Sequence, residues 1–173
     1  PADGRFGALP LIVGSFSVTI LSTLLALPVA LGSAVFVVEV QPVFGRRVFQ
    51  PLIELLVGIP SVVYGLIGLT VVNAGMRAVF GDAAGTGAGI LSGAIVLAVM
   101  ILPTVTTLSI DALAAVPNEY REGSYALGCT RWQTVCHVVI KSALPSLMTA
   151  VIQGMRHALG VRLAATMVNG GAE

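Results

Sequence analysis

Charge is what this sequence has least of. Of its 173 residues only 10% are Asp, Glu, Lys or Arg, against 56% hydrophobic, and the mean hydropathy is +0.97. A soluble domain carries about 25% charged residues. So few charges cannot cover a water-facing surface, and the bilayer is the solvent this composition suits. Nine Lys and Arg stand against eight Asp and Glu, a net charge of +1. That balance excludes the strongly basic footprint of a nucleic-acid binder and gives no pull toward an acidic partner. Cysteine is nearly absent. Cys129 and Cys136 lie seven apart, which is neither a zinc nor a redox spacing. His137 beside Cys136 raises a metal reading, but small side chains buried in the protein or facing lipid are the simpler account, and no metal site is expected.

Nucleotide signatures are missing too. No G-x-x-x-x-G-K-[ST] occurs, and the run "GTGAG" (Gly85 to Gly89) has neither a strand before it nor an acidic residue at the right distance after it. It reads as a flexible loop, so ATP is not expected on this chain. There is no internal repeat, and Pro1-Ala2-Asp3 does not begin a signal peptide. The missing initiator Met, with an ending on Gly170-Gly171-Ala172-Glu173, leads to the expectation of a piece of something longer.

What is present is four long apolar runs. Phe6 to Val38 carries no charge and exceeds the ~20 residues needed to cross a ~30 Å hydrocarbon core, with Pro28 a candidate kink. The loop "EVQPVFGRRVFQ" (39–50) follows. A second run covers Leu55 to Met76 with Pro51 near its start, and the Gly-rich loop "RAVFGDAAGTGAG" separates it from a third run over Ala83 to Ile110, helical from about Ile90. A fourth extends from about Ser142 to Val168. The spans are placed at roughly 7–38, 51–75, 89–116 and 134–168, in a single domain. Arg46 and Arg47 mark loop 39–50, and Arg121, Arg131 and Lys141 mark the region 117–141. Loop 73–88 holds only Arg77. By the positive-inside rule the first two regions are cytoplasmic and both termini face out.

The stretch "REGSYALGCTRWQTVCHVVIKSALP" (121–145) is polar, yet it lies between two oily runs. Val116-Pro117 ends the third span. Asn118 is a candidate cap for a short helix whose first turns hold Glu119 and Glu122, the sign the helix dipole prefers. Gly128 sits where a left-handed C-terminal stop is expected. Thr130 and Gln133 have capping-box spacing and start a second helix that feeds the fourth span. Tyr120, Tyr125 and Trp132 have two readings, anchors at the headgroup level or knobs for a groove on a partner protein.

This stretch resembles the cytoplasmic "EAA" loop of ABC importer permeases: E-A-A, three residues, Gly, then a hydrophobic ending. Glu122-Gly123-Ser124 stand at the E-A-A positions, Gly128 at the fixed glycine, and Val138-Val139-Ile140 at the ending. Gly123 and Ser124 depart from Ala, and Lys141 replaces the usual proline, although Leu144-Pro145 follows. Further runs, "FGALPLIVGSFSVT" (6–19), "ELLVGIPSVVYGLIGL" (54–69), "ILPTVTTLSIDALAAVP" (101–117) and "YALGCTRW" (125–132), are similar to the permease of the phosphate (Pst-type) importer, nearer its C-type than its A-type subunit. Permeases for sulfate or molybdate resemble it more loosely.

The resemblance implies an all-α integral membrane fold, the type I ABC importer transmembrane domain. About four of its usual six spanning helices would be present, with a coupling helix in loop 117–133. It implies a bacterial inner-membrane permease that moves inorganic phosphate inward by alternating access. ATP and Mg would sit on a separate ATPase and no cofactor on this chain. The implied partners are a cytoplasmic ABC ATPase dimer, a second permease subunit, a periplasmic or lipid-anchored phosphate-binding protein, and membrane lipid. Glu119, Glu122, Gly123, Ser124 and Gly128 would form the coupling element.

Pathway candidates come from the breaks in the spans. Pro60, with Ser61 and Tyr64 beside it, lies ~13 Å from Pro51 along a helix axis, near mid-bilayer. Pro103 with Thr104, Thr106 and Thr107 promises a similar interruption in the third span. Such broken, hydroxyl-bearing helices mark transport pathways. The other reading is a tolerated kink whose hydroxyls bond back to the helix. Glycines 58, 65 and 68 need only helix packing to explain them.

Between Lys141 and Arg156 lie 14 uncharged residues, ~21 Å of helix and too short to span. The membrane segment therefore continues past Arg156, which costs at least ~2.5 kcal/mol there and either lines a pathway, pairs internally or snorkels outward. Phosphate permeases of this type carry an R-A-L-G-E run in this helix, whose Arg and Glu are implicated in transport. This chain reads "MRHALGVRLA", with His157 at the arginine position, Val161 at the glutamate position, and Arg156 displaced by about 100° around the helix. Arg156, His157, Ser61, Tyr64 and Thr104 are the expected pathway residues. Three rivals remain: another oxyanion, a transport-inactive remnant, and a channel needing no ATP.

Overall fold

Helix α1 (Ala8–Val35) follows from the charge-free N-terminal run and passes through Pro28 without a break. Its backbone continues as a π-helical segment, Phe36–Val40, and stops at Gln41, whose φ of −135° leaves the helical region. The structure is a computed structural model. It describes residues 8–60, 63, 64, 66, 68–72, 75 and 86–170, with side chains for 13–60, 63, 64, 66, 70–72, 75 and 91–160. Every element among the described residues is helical.

The stretch 39–50, expected as a loop, is helical almost throughout. After Gln41 the short α2 (Pro42–Phe44) places proline in its first turn, where no backbone N–H is needed. A π-helical segment, Gly45–Phe49, leads into α3 (Gln50–Val57). The tight return is possible because residue 45 has no side chain: a Cβ there would lie 2.7 Å from the Cα of Val37 and 2.9 Å from its carbonyl oxygen. Phe36 and Phe49 close the return from the other side, ring centroids 6.2 Å apart.

Helix α3 ends at Val57, and Gly58, Ile59 and Pro60 are not helical. The break expected at Pro60 is present; Ser61 lies outside the described residues. The break expected at Pro103 is absent. Helix α4 runs from Thr86 to Ala114 straight through it. Thr106 Oγ1 donates to the Leu102 carbonyl at 2.7 Å and Thr107 Oγ1 to the Pro103 carbonyl at 2.9 Å. The hydroxyls bond back to their own helix, and a bilayer helix with such partners tolerates an internal proline. Helix α4 also starts four residues before the expected Ile90.

Three more helices complete the chain. α5 (Asn118–Ala126) and α6 (Arg131–Thr134) are short, and a π-helical segment, Val135–Val139, joins α6 to the long α7 (Ile140–Gly170). Among the described residues, three stretches are long and apolar enough to cross a membrane: Val13–Val40, Leu91–Ala114 and Arg131–Gly160.

The chain divides into two compact units. One comprises residues 1–25, 60–101 and 155–173. Its buried side chains include Val18, Thr19, Ser22, Ala94, Leu97, Ile101 and Ala158. Thr19 and Thr23 donate to carbonyls four residues back and Ser22 to one three back, so these buried hydroxyls are satisfied within α1. The other unit comprises residues 26–59 and 102–154. Its core gathers Ala34, Val37, Ile53, Ile110, Leu113, Val116, Val139, Ala143 and Leu147, with Phe49 and Ile140 packed against them.

Candidate functional site

The polar helix α5 begins after Pro117, whose ψ of 141° sets the turn out of α4. Asn118, expected as the cap, is instead the first helical residue, and Pro117 occupies the cap position without a side-chain bond. The proline before it and the arginine after it decide this: Asn118 Oδ1 accepts from Arg121 Nη1 at 3.3 Å rather than from the backbone.

The C-terminal end of α5 follows the expected pattern. Gly128 has φ of +80°, the left-handed conformation that glycine adopts without strain. The Cys129 N–H donates to the Ser124 carbonyl and the Gly128 N–H to the Tyr125 carbonyl, the paired bonds of a glycine-terminated helix. α6 then starts on a complete capping box. The Gln133 N–H donates to Thr130 Oγ1, and the Thr130 N–H to Gln133 Oε1 at 2.9 Å.

The five residues assigned to coupling lie together on this element, in different settings. Glu119, Glu122, Gly123 and Gly128 are exposed, and nothing stands within 4 Å of a Cβ placed at 123 or 128. Ser124 is buried, its Oγ 2.9 Å from the equally buried Oγ1 of Thr134. It therefore joins α5 to α6 from inside. Large side chains also face outward here: Tyr120, Tyr125 and Trp132 are exposed, and Leu127 is 86% exposed.

A group that sequence reasoning passed over holds this element in place. In the sequence Arg121 offers only a positive charge for orientation, and Glu39 only the edge of a loop. In the fold, Arg121 Nη2 and Nε donate to Glu39 Oε1 at 2.7 and 3.0 Å, with side chains only 14% and 11% exposed. Nη1 donates to the Val116 carbonyl at 2.7 Å and to Asn118 Oδ1, and Nη2 also to the Leu113 carbonyl at 3.1 Å. All five guanidinium N–H groups have an acceptor, the full capacity of the side chain. The Leu113 carbonyl lies in the last turn of α4 and the Val116 carbonyl just beyond it, where the helix dipole favours a cation. Bonds to charged groups net about 1.5–3 kcal/mol each when formed. No periodicity links positions 82 apart, so no spacing in the sequence points to the pair.

The expected pathway residues are divided between the units. Tyr64 is half-buried in the first, and Arg156 and His157 are exposed on the part of α7 that belongs to it. Thr104 is half-buried in the second. Within that second unit, α4 and α7 leave a groove of about 330 Å³ lined by Leu108, Asp111, Ala112, Ala115, Ser146, Thr149, Ala150 and Gln153. Asp111 makes its wall repel an anion. No group of three or more His, Cys, Asp or Glu able to hold a metal occurs among the described residues.

The family model for the inner membrane component of binding-protein-dependent transport systems matches residues 26–172. The chain belongs to this family. Its fold is that of an all-α membrane component of the ABC permease type, and it is part of a multi-pass protein of the bacterial inner membrane. It is 56% identical over 169 residues to a probable ABC transporter permease protein, YqgH, of Bacillus subtilis (strain 168), covering 98% of this chain and 54% of that protein. It is 35% identical over 189 residues to the phosphate transport system permease protein PstC of Mesorhizobium japonicum, covering 99% and 58%. With PstC of Xylella fastidiosa (strain 9a5c) the identity is 36% over 184 residues, covering 96% and 56%. The chain spans somewhat more than half the length of the relatives it matches.

Proposed function

We propose that the chain is the core of the membrane permease of an ATP-driven phosphate importer, and that α5 with its glycine turn is the piece a cytoplasmic ATPase grips. The observation that carries the coupling role is the exposure of large side chains along α5, its glycine turn and α6: Tyr120, Tyr125, Leu127 and Trp132 are all exposed, on an element tied down by the Arg121 hub. Large apolar side chains exposed on such an element suit a protein or membrane contact. Similarity to permeases named for phosphate transport, along nearly the whole chain, supports phosphate as the cargo. An ATPase dimer, a second permease subunit and an external phosphate-binding protein complete the proposed assembly. Tyr64, Thr104, Arg156 and His157, together with Ser61, are proposed as pathway contacts for the anion.

A second reading has one observation in its favour. His157 and Val161 stand where the resemblance places an arginine and a glutamate, so the anion would lose one fixed positive charge. On that reading the chain is a membrane subunit without transport activity. Reconstitution of the full-length permease with its companion subunits in liposomes separates the two. The proposal expects ATP-dependent phosphate uptake that excess sulfate does not suppress. Suppression by sulfate would assign another oxyanion, flux without ATP a channel, and absence of phosphate-stimulated ATP hydrolysis the inactive subunit.

A further inference from the structure

We propose that Arg121 is a positioning residue that ties the polar helix to the end of α1, so that a push on α5 moves α1 and α4 with it. This rests on the coupling role given to α5 above, and adds the route by which the push leaves it. A docked helix transmits force only through what holds it. α5 follows α4 by the short turn at Pro117 and precedes α6 by the glycine turn. Neither connection reaches α1.

The reach is made by one side chain. Arg121 takes Glu39, in the π-helical continuation of α1, through two of its donors, and takes the Leu113 and Val116 carbonyls at the end of α4 through two others. The fork is planar and always charged, so it holds these acceptors in one fixed arrangement. A second basic residue supports the same point: Arg131 Nη2 donates to the Glu39 backbone carbonyl at 3.4 Å. Glu39 thus receives contacts from both sides of the glycine turn. Its own backbone lies in a π-helical segment, a form of helix frequent at functional sites. Lysine at 121 would keep the charge and lose the fork.

The experiment uses the full-length permease assembled with its companion subunits in liposomes, and reads phosphate transported per ATP hydrolysed. Glu39→Leu removes the one oxygen that accepts both bonds and leaves Arg121 its carbonyl acceptors; Arg121→Lys keeps the charge. Both should assemble and hydrolyse ATP, and both should lower the transport ratio at least about fivefold, the low end of a typical coupling between two sites. A purely structural role would lower assembly, hydrolysis and uptake in parallel and leave the ratio unchanged. An unchanged ratio in Glu39→Leu overturns the inference, whatever Arg121→Lys does to assembly. If the unsubstituted complex itself couples no hydrolysis to transport, the functional reading fails and this inference with it.

Discussion

Gly154→Leu should strip the second unit of its fold, with little of the chain surviving detergent extraction as a monodisperse species. A Cβ built on Gly154 runs into Cγ2 of Val105, where α7 meets α4. Val105 is 2% exposed and cannot swing away, because a valine in a helix has one strongly preferred rotamer. Overpacking a close contact costs about 1–3 kcal/mol and at times more, a large share of the about 5–15 kcal/mol that holds a typical fold. In a bilayer, helices associate through close packing rather than hydrophobic drive, so the glycine contact has few substitutes. Gly154→Ala should lose less, and Gly154→Ala together with Val105→Ala should recover most of the folded yield. Size-exclusion profiles of the extracted protein read all three. A normal profile for Gly154→Leu would show that α4 and α7 do not meet at this residue.

Leu127→Asp should separate the permease from its ATPase while leaving it folded in the membrane. Leu127 is 86% exposed, immediately before the glycine turn, and so contributes little to the core. Burying a leucine in a partner's groove gains about 1.5–3 kcal/mol, and an unpaired carboxylate in the same place costs more. A loss of about 3 kcal/mol weakens association by roughly a hundredfold. Co-purification of the ATPase with the variant should fall below detection, with the amount of permease in the membrane unchanged. Leu127→Ala should give a milder loss. Full retention of the ATPase by Leu127→Asp would move the docking surface elsewhere.

How far the sequence disclosed this structure depended on the range of the interaction. Local signals were readable. The charge-free run to Val38, the glycine stop at 128 and the Thr130–Gln133 box each act within a few residues, and each appears in the fold. Pro60 and Pro103 look alike in the sequence and behave differently. Gly58 precedes the first and helps end α3, whereas Thr106 and Thr107 follow the second and bond back to the helix. The segment 39–50 was misread because Gln41, Pro42 and Gly45 are loop-forming residues by composition, yet only Gln41 leaves the helix. Asn118 lost its cap position to a proline that fixed the turn first. Long-range contacts were silent: neither the Glu39–Arg121 pair nor the seating of Gly154 on Val105 leaves a spacing to count. Among the residues proposed for coupling, the inward turn of Ser124 toward Thr134 leaves no mark in the sequence and required the fold.

The account depends above all on the polar helix lying on the inner side of the membrane, where another chain can hold it. The most direct measurement places a single thiol at its exposed turn, Leu127→Cys with Cys129→Ser and Cys136→Ser, and challenges it with a membrane-impermeant maleimide. Sealed inside-out vesicles should label, intact cells should not, and bound ATPase should protect the site. Labelling from outside intact cells would invert the orientation and leave the helix with nothing to grip it.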